Sequence, residues 1–216
     1  MKRILYLLCF ANMFCSTSVL AQGEEGEQKS SKVNELGIHV FPGTYFVTGP
    51  SLFGKPKINY LLGAGAFFQQ QATRHLVWRI GFNVNFEMSN YKFPAGAAQD
   101  QINYRVTYLE IPLQLLVYFN PEDRFRGYAG IGAGTRRHFS TQTTTIEHDG
   151  EKSVTSLRNN QLNLEFMPSA ILGFKYQIDE QMSFYFQPEY RIVGIRKFGN
   201  AIKHGFSAQV GLTFAF

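Results

Sequence analysis

The sequence predicts an all-β fold: a single eight-stranded antiparallel transmembrane β-barrel, an up-and-down meander with short periplasmic turns and longer outer loops. Three observations point there. Apolar and polar residues alternate with a period of two through most of the chain after residue 35, the connections alternate between short and long, and the final strand ends on Phe216. A strand keeps a period of two, whereas a helix scrambles it. The 216 residues include 21 Phe, 11 Tyr and 20 Gly, so 15% are aromatic, and disordered chains are poor in aromatics. A mean hydropathy of -0.16 excludes a bundle of membrane helices.

The chain opens with Lys2 and Arg3, an apolar run from Ile4 to Phe10, and Val19-Leu20-Ala21 with a small residue at its end. That order is a secretory signal peptide over residues 1–21, which implies Sec export. An anchoring helix fits less well, because Asn12 and Ser16 break a run already short of the ~20 residues a span needs. Cys9 and Cys15 are the only two cysteines and both lie in the signal. The mature chain therefore has no disulfide framework, no Cys zinc site and no thiol nucleophile. Bulky Phe14 before Cys15 argues against lipidation. Losing Lys2 and Arg3 lowers the net charge from +5 to +3 with no basic block left, which gives nucleic-acid binding no support. Residues 22–34 (QGEEGEQKSSKVN) read as a flexible periplasmic leader, and the barrel occupies residues 35–216.

Eight alternating runs follow, near 35–47, 58–70, 76–92, 102–119, 126–140, 160–178, 182–198 and 205–216. In the first, Pro42-Gly43 breaks parity and reads as a bulge. The third sets Trp78, Ile80, Phe82, Val84 and Phe86 against Arg79, Asn83, Asn85 and Glu87, and the fourth, sixth and last behave alike. Most runs exceed the ~9–11 residues of a tilted membrane-crossing strand. The connections 71–75, 120–125 and 179–181 are short, and 48–57, 93–101, 141–159 and 199–204 are mostly longer. Outer-membrane barrels show that asymmetry, with the tight turns in the periplasm. An even strand number leaves both termini there. The polar, Thr-rich loop 141–159 reads as a solvated loop or, as loops on rigid scaffolds often do, a contact surface for a partner, glycan or host molecule. Strands that outrun the bilayer would extend it outward as a protruding sheet.

Sidedness follows from which phase is apolar. The apolar phase is long, continuous and aromatic at its ends, as a lipid belt is. The other phase mixes charges with glycines such as Gly63, Gly65, Gly130, Gly132 and Gly134, which suits a lumen only wide enough for side chains. None of these glycines opens a helix, so they are not phosphate loops. The lumen phase carries Arg79, Glu87, Glu110, Arg136, Glu165, Lys175, Glu189 and Arg191, four acids and four bases. Isolated charges in such an interior are expensive, so they are expected to pair and plug the lumen. An ion or proton path is the functional alternative. Pro112, Pro168 and Pro188 lack a ladder donor and are expected at local bulges.

The end of the chain, Gln209-Val210-Gly211-Leu212-Thr213-Phe214-Ala215-Phe216, resembles the signal by which the barrel assembly machinery recognises a last strand, with Gln209, Gly211, Phe214 and Phe216 as its pattern residues. Residues 108–113 (YLEIPL) resemble a segment of the "porin family" outer-membrane β-barrel domain common in Bacteroidota. Residues 127–134 (GYAGIGAG), 173–176 (GFKY) and 188–191 (PEYR) follow in that family's order. The resemblance covers about 36–216 and implies a Gram-negative outer-membrane barrel more than an activity. Some relatives, the PorT-like proteins, are tied to protein secretion. A general diffusion porin needs ~16–18 strands, more than this chain holds.

No pair among His39, His75, His138, His148 and His204 has zinc-like spacing, and no cofactor is expected. A lipid A-modifying hydrolase would use Ser140 as nucleophile, His138 as base and Glu147 as orienter. The sequence favours a non-enzymatic role in envelope structure, adhesion or a secretion or envelope complex, with that hydrolase or a narrow transporter as alternatives. The expected partners are outer-membrane lipid and lipopolysaccharide, the barrel assembly machinery during insertion, and a protein of an envelope or secretion complex. Nucleic acid is not among them.

Overall fold

The computed structural model describes residues 33–48, 58–92, 99–147, 151–158, 164–195 and 202–216. The expected signal peptide, the expected leader through residue 32 and parts of the outer connections lie outside the described residues. The described residues form nine strands: β1 (Asn34–Thr48), β2 (Ile58–Gln71), β3 (Leu76–Lys92), β4 (Gln99–Tyr118), β5 (Phe125–Glu147), β6 (Lys152–Arg158), β7 (Leu164–Gln177), β8 (Met182–Ile195) and β9 (Ile202–Ala215). They are hydrogen-bonded in the order β4-β3-β2-β1-β9-β8-β7-β5-β6, and a further β4–β5 ladder closes the cylinder. All neighbours are antiparallel, so the fold is a closed eight-stranded meander.

Nine strands make eight staves because β6 and β7 share one. β4 holds one edge of β5, while β7 pairs with Phe125–Arg137 and β6 with Ser140–Ile146 on the other. This corrects the sequence reading in one place. The expected run over 160–178 is β7, but much of the expected loop 141–159 is strand, and β6 within it extends the sixth stave outward. β5 continues through its β-branched threonines to Glu147 and returns as β6. Such residues fit a pleated strand even where both faces meet water. Two boundaries also move: β4 begins at Gln99 and β9 at Ile202, each three residues before the expected start.

The start of β1, the end of β9 and the three tight turns lie at one end of the cylinder. Asn34 stands opposite Gln70 and Glu35 opposite Ala215. The β7–β8 turn is pinned by Asp179 Oδ1, which accepts from the backbone N–H groups of Gln181 (2.8 Å) and Met182 (2.7 Å). This is the Asx geometry that makes Asp a turn residue. Along every stave the outward phase is apolar: Leu36, Ile38 and Val40 on β1, Ile80, Phe82 and Phe86 on β3, and Ile111, Leu113, Leu115 and Val117 on β4 are all exposed. The inward phase buries Glu35, His39, Arg79, Asn83, Glu87, Glu110 and Gln114. A surface this greasy around an interior this polar is the pattern of a barrel standing in lipid.

The prolines do not create bulges. Between Val40↔Val210 and Gly43↔Ser207 the β1–β9 register is unshifted, and only the pairs at Phe41 and Pro42 are missing. Pro42 remains opposite Leu62 on β2, and the inward phase of β1 runs unbroken from Glu35 to Tyr45. Likewise, Pro112 interrupts the β3–β4 ladder between Ile80↔Leu113 and Asn83↔Glu110 while staying opposite Gly134 on β5. Pro188 interrupts β7–β8 between Ile171↔Glu189 and Phe174↔Phe186 while staying opposite Ala208 on β9. In an antiparallel sheet each N–H points to one neighbour only, so a missing donor opens one ladder and spares the other. Pro168 stands opposite Ala133, one residue beyond the last β7–β8 pair, Ser169↔Arg191. The register shifts fall elsewhere, between Gln99 and Gln101, between Thr107 and Tyr108 where Phe139 is the extra residue of β5, and between Val193 and Ile195.

Glycines make room for rings across the strand. Phe67, Phe41, Tyr45 and Tyr128 stand directly opposite Gly37, Gly63, Gly205 and Gly173. A Cβ on Gly173 would come within 2.5 Å of the Tyr128 ring. The rings lie down over these gaps and fill a lumen that upright side chains of that size would overfill.

Candidate functional site

The lumen is filled by three tiers of polar contacts, counted from the periplasmic end. In the first, Lys175 on β7 donates to Glu35 on β1, and Glu35 also accepts from Gln69 Nε2 at 2.9 Å. Gln69 Oε1 in turn accepts from Arg79 Nε (2.9 Å) and from a terminal guanidinium nitrogen (2.7 Å). Arg79 reaches across the lumen from β3 to Gln187 Oε1 on β8 at 2.8 Å, and Tyr128 on β5 donates to the same oxygen at 3.1 Å. Among the described residues no carboxylate is within ion-pair distance of Arg79. Three glutamine amides and the Phe67 ring, 4.0 Å from its guanidinium carbon, surround it instead. An aromatic face and aligned amide oxygens stabilise a guanidinium that water does not reach.

The second tier is a triad. Arg191 on β8 donates to both oxygens of Glu110 on β4 (3.0 and 2.9 Å) and to Glu189 Oε2 (2.9 Å). The carboxylates are held from behind: Asn85 Nδ2 donates to Glu110 at 2.6 Å, Asn83 Nδ2 at 3.4 Å, and Gln209 Nε2 donates to Glu189 at 2.7 Å. His39 Nε2 lies 3.0 Å from Asn83 Oδ1. One guanidinium nitrogen bridges both Glu110 oxygens while the other holds Glu189, and such charge-assisted bonds are stronger than neutral ones.

The third tier faces the outer mouth. Arg136 pairs with Glu165 at 2.6 Å and stands 3.8 Å from Glu87, and Lys203 on β9 donates to Glu87 on β3. The Tyr108 ring lies 4.1 Å below the Arg136 guanidinium carbon, and the Tyr45 ring 4.3 Å from Lys203 Nζ. Apolar layers flank the polar ones. Val77, Leu116, Tyr118, Tyr128 and Ile171 cluster together, as do Phe41, Tyr45, Leu61 and Met167.

The structure thus places Arg79, Glu87, Glu110, Arg136, Lys175, Glu189 and Arg191 inside with little or no exposure, and Glu165 at the outer mouth with 38% of its side chain exposed. It adds Glu35 and Lys203, which makes five acids and five bases in these tiers. Glu35 shares the phase of His39 and Phe41 but begins its strand beside a polar leader. Lys203 shares the phase of Ser207 and Gln209 but sits in a stretch that reads as loop. Their parity was the available signal. Many of these contacts join staves that are not neighbours: Arg79–Gln187, Tyr128–Gln187, Arg191–Glu110, Lys175–Glu35, Lys203–Glu87 and Arg136–Glu87. They are struts across the lumen.

The hydrolase residues are not brought together. His138 packs on Tyr108 with ring centroids 5.5 Å apart, and its Nε2 lies 2.5 Å from Thr141 Oγ1. Ser140 is registered opposite Thr107 beyond the bulge. Glu147 is nine residues beyond His138 along β5, about 30 Å away at strand rise. Among the described residues no three His, Cys, Asp or Glu side chains gather as metal ligands would. At the end of the chain, Gln209 and Gly211 face the lumen while Phe214 and Phe216 are exposed, and Phe216 N–H donates to Asn34 O at 3.0 Å, tying the last residue to the first strand.

Comparison with known proteins agrees with this architecture. A family model described as "Outer membrane protein beta-barrel domain" matches residues 7–214. Among solved structures the chain is similar to OprG from Pseudomonas aeruginosa, with 13% identity and a TM-score of 0.53 over 86% of this chain and 97% of that one. It is also similar to the N-terminal β-barrel domain of Pseudomonas aeruginosa OprF (16% identity, TM-score 0.43, covering 86% and 100%) and to the outer membrane protease OmpT from Escherichia coli (9%, 0.45, 89% and 99%). No curated protein matches the chain. At these identities the structural likeness concerns the fold alone. With a closed barrel, an outward apolar belt and a family match over nearly its full length, the chain belongs to the outer membrane protein β-barrel domain family and is an integral protein of the outer membrane.

Proposed function

We propose that this protein is a non-conducting, non-enzymatic scaffold of a Gram-negative outer membrane, exported through Sec by its signal peptide, that holds an outer β-sheet above the lipid. Its role on this reading is envelope structure, adhesion, or membership of a secretion or envelope complex. The observation that carries the reading is the set of struts between non-neighbouring staves. Arg191 with Glu110 and Glu189, and Arg79 with Gln187, occupy the axis that an ion or small solute would need. Moving a charge past them means separating buried pairs, at about 3–5 kcal/mol for each. The ends of β4 and β5 with β6 then form the part available to a partner, and the YLEIPL resemblance supports a place beside the Bacteroidota porin-family, PorT-like proteins.

Single-channel recording of purified protein in planar bilayers tests the sealed lumen. The expected result is no stable conductance in the wild type, and openings in a Glu110→Ala/Arg191→Ala variant. A reproducible wild-type channel would overturn the scaffold reading in favour of a transporter.

A further inference from the structure

We infer that the outward face of β4 and β5, just above the lipid belt on the outer side, is a binding site for a phosphorylated lipid headgroup. Arg137 stands opposite Leu109, and Arg105 stands opposite Gln142. Because paired residues share a face, and Arg105 and Leu109 share a phase of β4, both arginines lie on the same outward surface as exposed Ile111 and Leu113. Neither has an ion pair or side-chain hydrogen bond with any described residue, and the Nε of Arg137 is shielded from solvent yet unpartnered. Arg79, Arg136 and Arg191 in the lumen, by contrast, each hold at least one carboxylate or amide oxygen in the contacts above.

The setting makes this arrangement unusual. The bulge at Phe139 puts Ser140 opposite Thr107, and Gln142 lies beyond them on the same face. The patch of Arg105, Thr107, Arg137, Ser140 and Gln142 therefore has two guanidiniums, two hydroxyls and an amide, with no carboxylate among them. Directly below it come Leu109 and Ile111 on β4 and Thr135, Ala133 and Ile131 on β5, which face acyl chains. An unpaired arginine on the lipid side is costly unless it sits at the interface with an anion to bind. A guanidinium fork matches a phosphate group better than a point charge does. Leu109 and Arg105 are four residues apart on one strand, about 13 Å at strand rise. That spacing places one arginine at each end of a disaccharide headgroup phosphorylated at both ends, as in lipid A, although a phospholipid phosphate has the same local chemistry.

The test is native mass spectrometry of the delipidated full-length barrel in detergent, with three probes: diphosphoryl lipid A, its dephosphorylated form and phosphatidylglycerol. The wild type is expected to retain diphosphoryl lipid A and release the dephosphorylated form. Arg105→Gln/Arg137→Gln should weaken retention on the order of tenfold or more. The periplasmic-turn pair Arg74→Gln/Arg124→Gln should leave it unchanged. Retention of phosphatidylglycerol equal to that of lipid A, lost in the same variant, would support the site with a phospholipid as its source. Wild-type retention in the double variant, or an equal loss in the periplasmic pair, would overturn the inference. Heat-dependent gel mobility reports whether each variant is folded. If Arg137→Gln prevents folding, Arg105→Gln alone decides, since it alters an exposed position outside the belt.

Discussion

Replacing Glu110 by Gln should cost the barrel about 3 kcal/mol, the lower end of the range for breaking a buried ion pair. The carboxylate accepts from three donor nitrogens: Arg191 Nη1, shared between its two oxygens at 3.0 and 2.9 Å, Asn85 Nδ2 at 2.6 Å and Asn83 Nδ2 at 3.4 Å. A glutamine keeps one oxygen and turns the other into a donor that faces donors. Arg191 is then left with Glu189 as its one carboxylate, which is why the loss stays near 3 and not 5 kcal/mol. The assay is reversible urea unfolding in lipid vesicles followed by Trp78, the only tryptophan of the chain. A double-mutant cycle with Arg191→Met isolates the pair. The double variant should be at least 1 kcal/mol less destabilised than the sum of the two singles, because neither charge is then left alone. A coupling below about 0.5 kcal/mol would refute the reasoning and mean that the triad is wet enough for water to replace either partner.

Two further outcomes follow from particular contacts. Gly211→Ala places a Cβ against the carbonyl oxygen of Ile38 and 2.7 Å from the Tyr185 ring, and a backbone oxygen in a closed sheet has nowhere to move. The same titration should show a loss of about 1–3 kcal/mol, and a neutral result would mean that the β1–β9 seam is looser than its register implies. Thr144→Pro removes a ladder donor from β5 where it lies between Asn103 on β4 and Val154 on β6. Proteolysis of the β5–β6 hairpin should quicken while the urea midpoint stays within about 0.5 kcal/mol of the wild type. A midpoint that falls with it would mean that the outer sheet and the barrel unfold as one unit.

How much of this could be read beforehand varies by residue. Within the bilayer, lipid on one side and a polar lumen on the other impose a period of two, so residues such as Ile80 and Arg79 fall on opposite faces by parity alone. Above the bilayer both faces meet water and the constraint disappears. That is why the threonines of β5 and the short β6 read as loop. Parity also says nothing about partners. Arg79 carries a full charge but rests on Gln69, Gln114 and Gln187, neutral residues that no charge count would select. Which acid meets which base depends on strand tilt and lumen diameter, so Lys175 meeting Glu35 from the far side had no signature in the order of residues. The prolines were misread for a related reason: a single strand does not reveal which neighbour its missing donor would have faced.

The even balance of charge inside this cylinder also constrains how relatives can diverge. A change that removes one member of a strut strands its partner on a distant stave, so descendants survive only if the second site changes too. Lineages of this protein should accordingly show correlated exchanges between positions 35 and 175, 87 and 203, and 110 and 191, while the greasy exterior drifts one residue at a time.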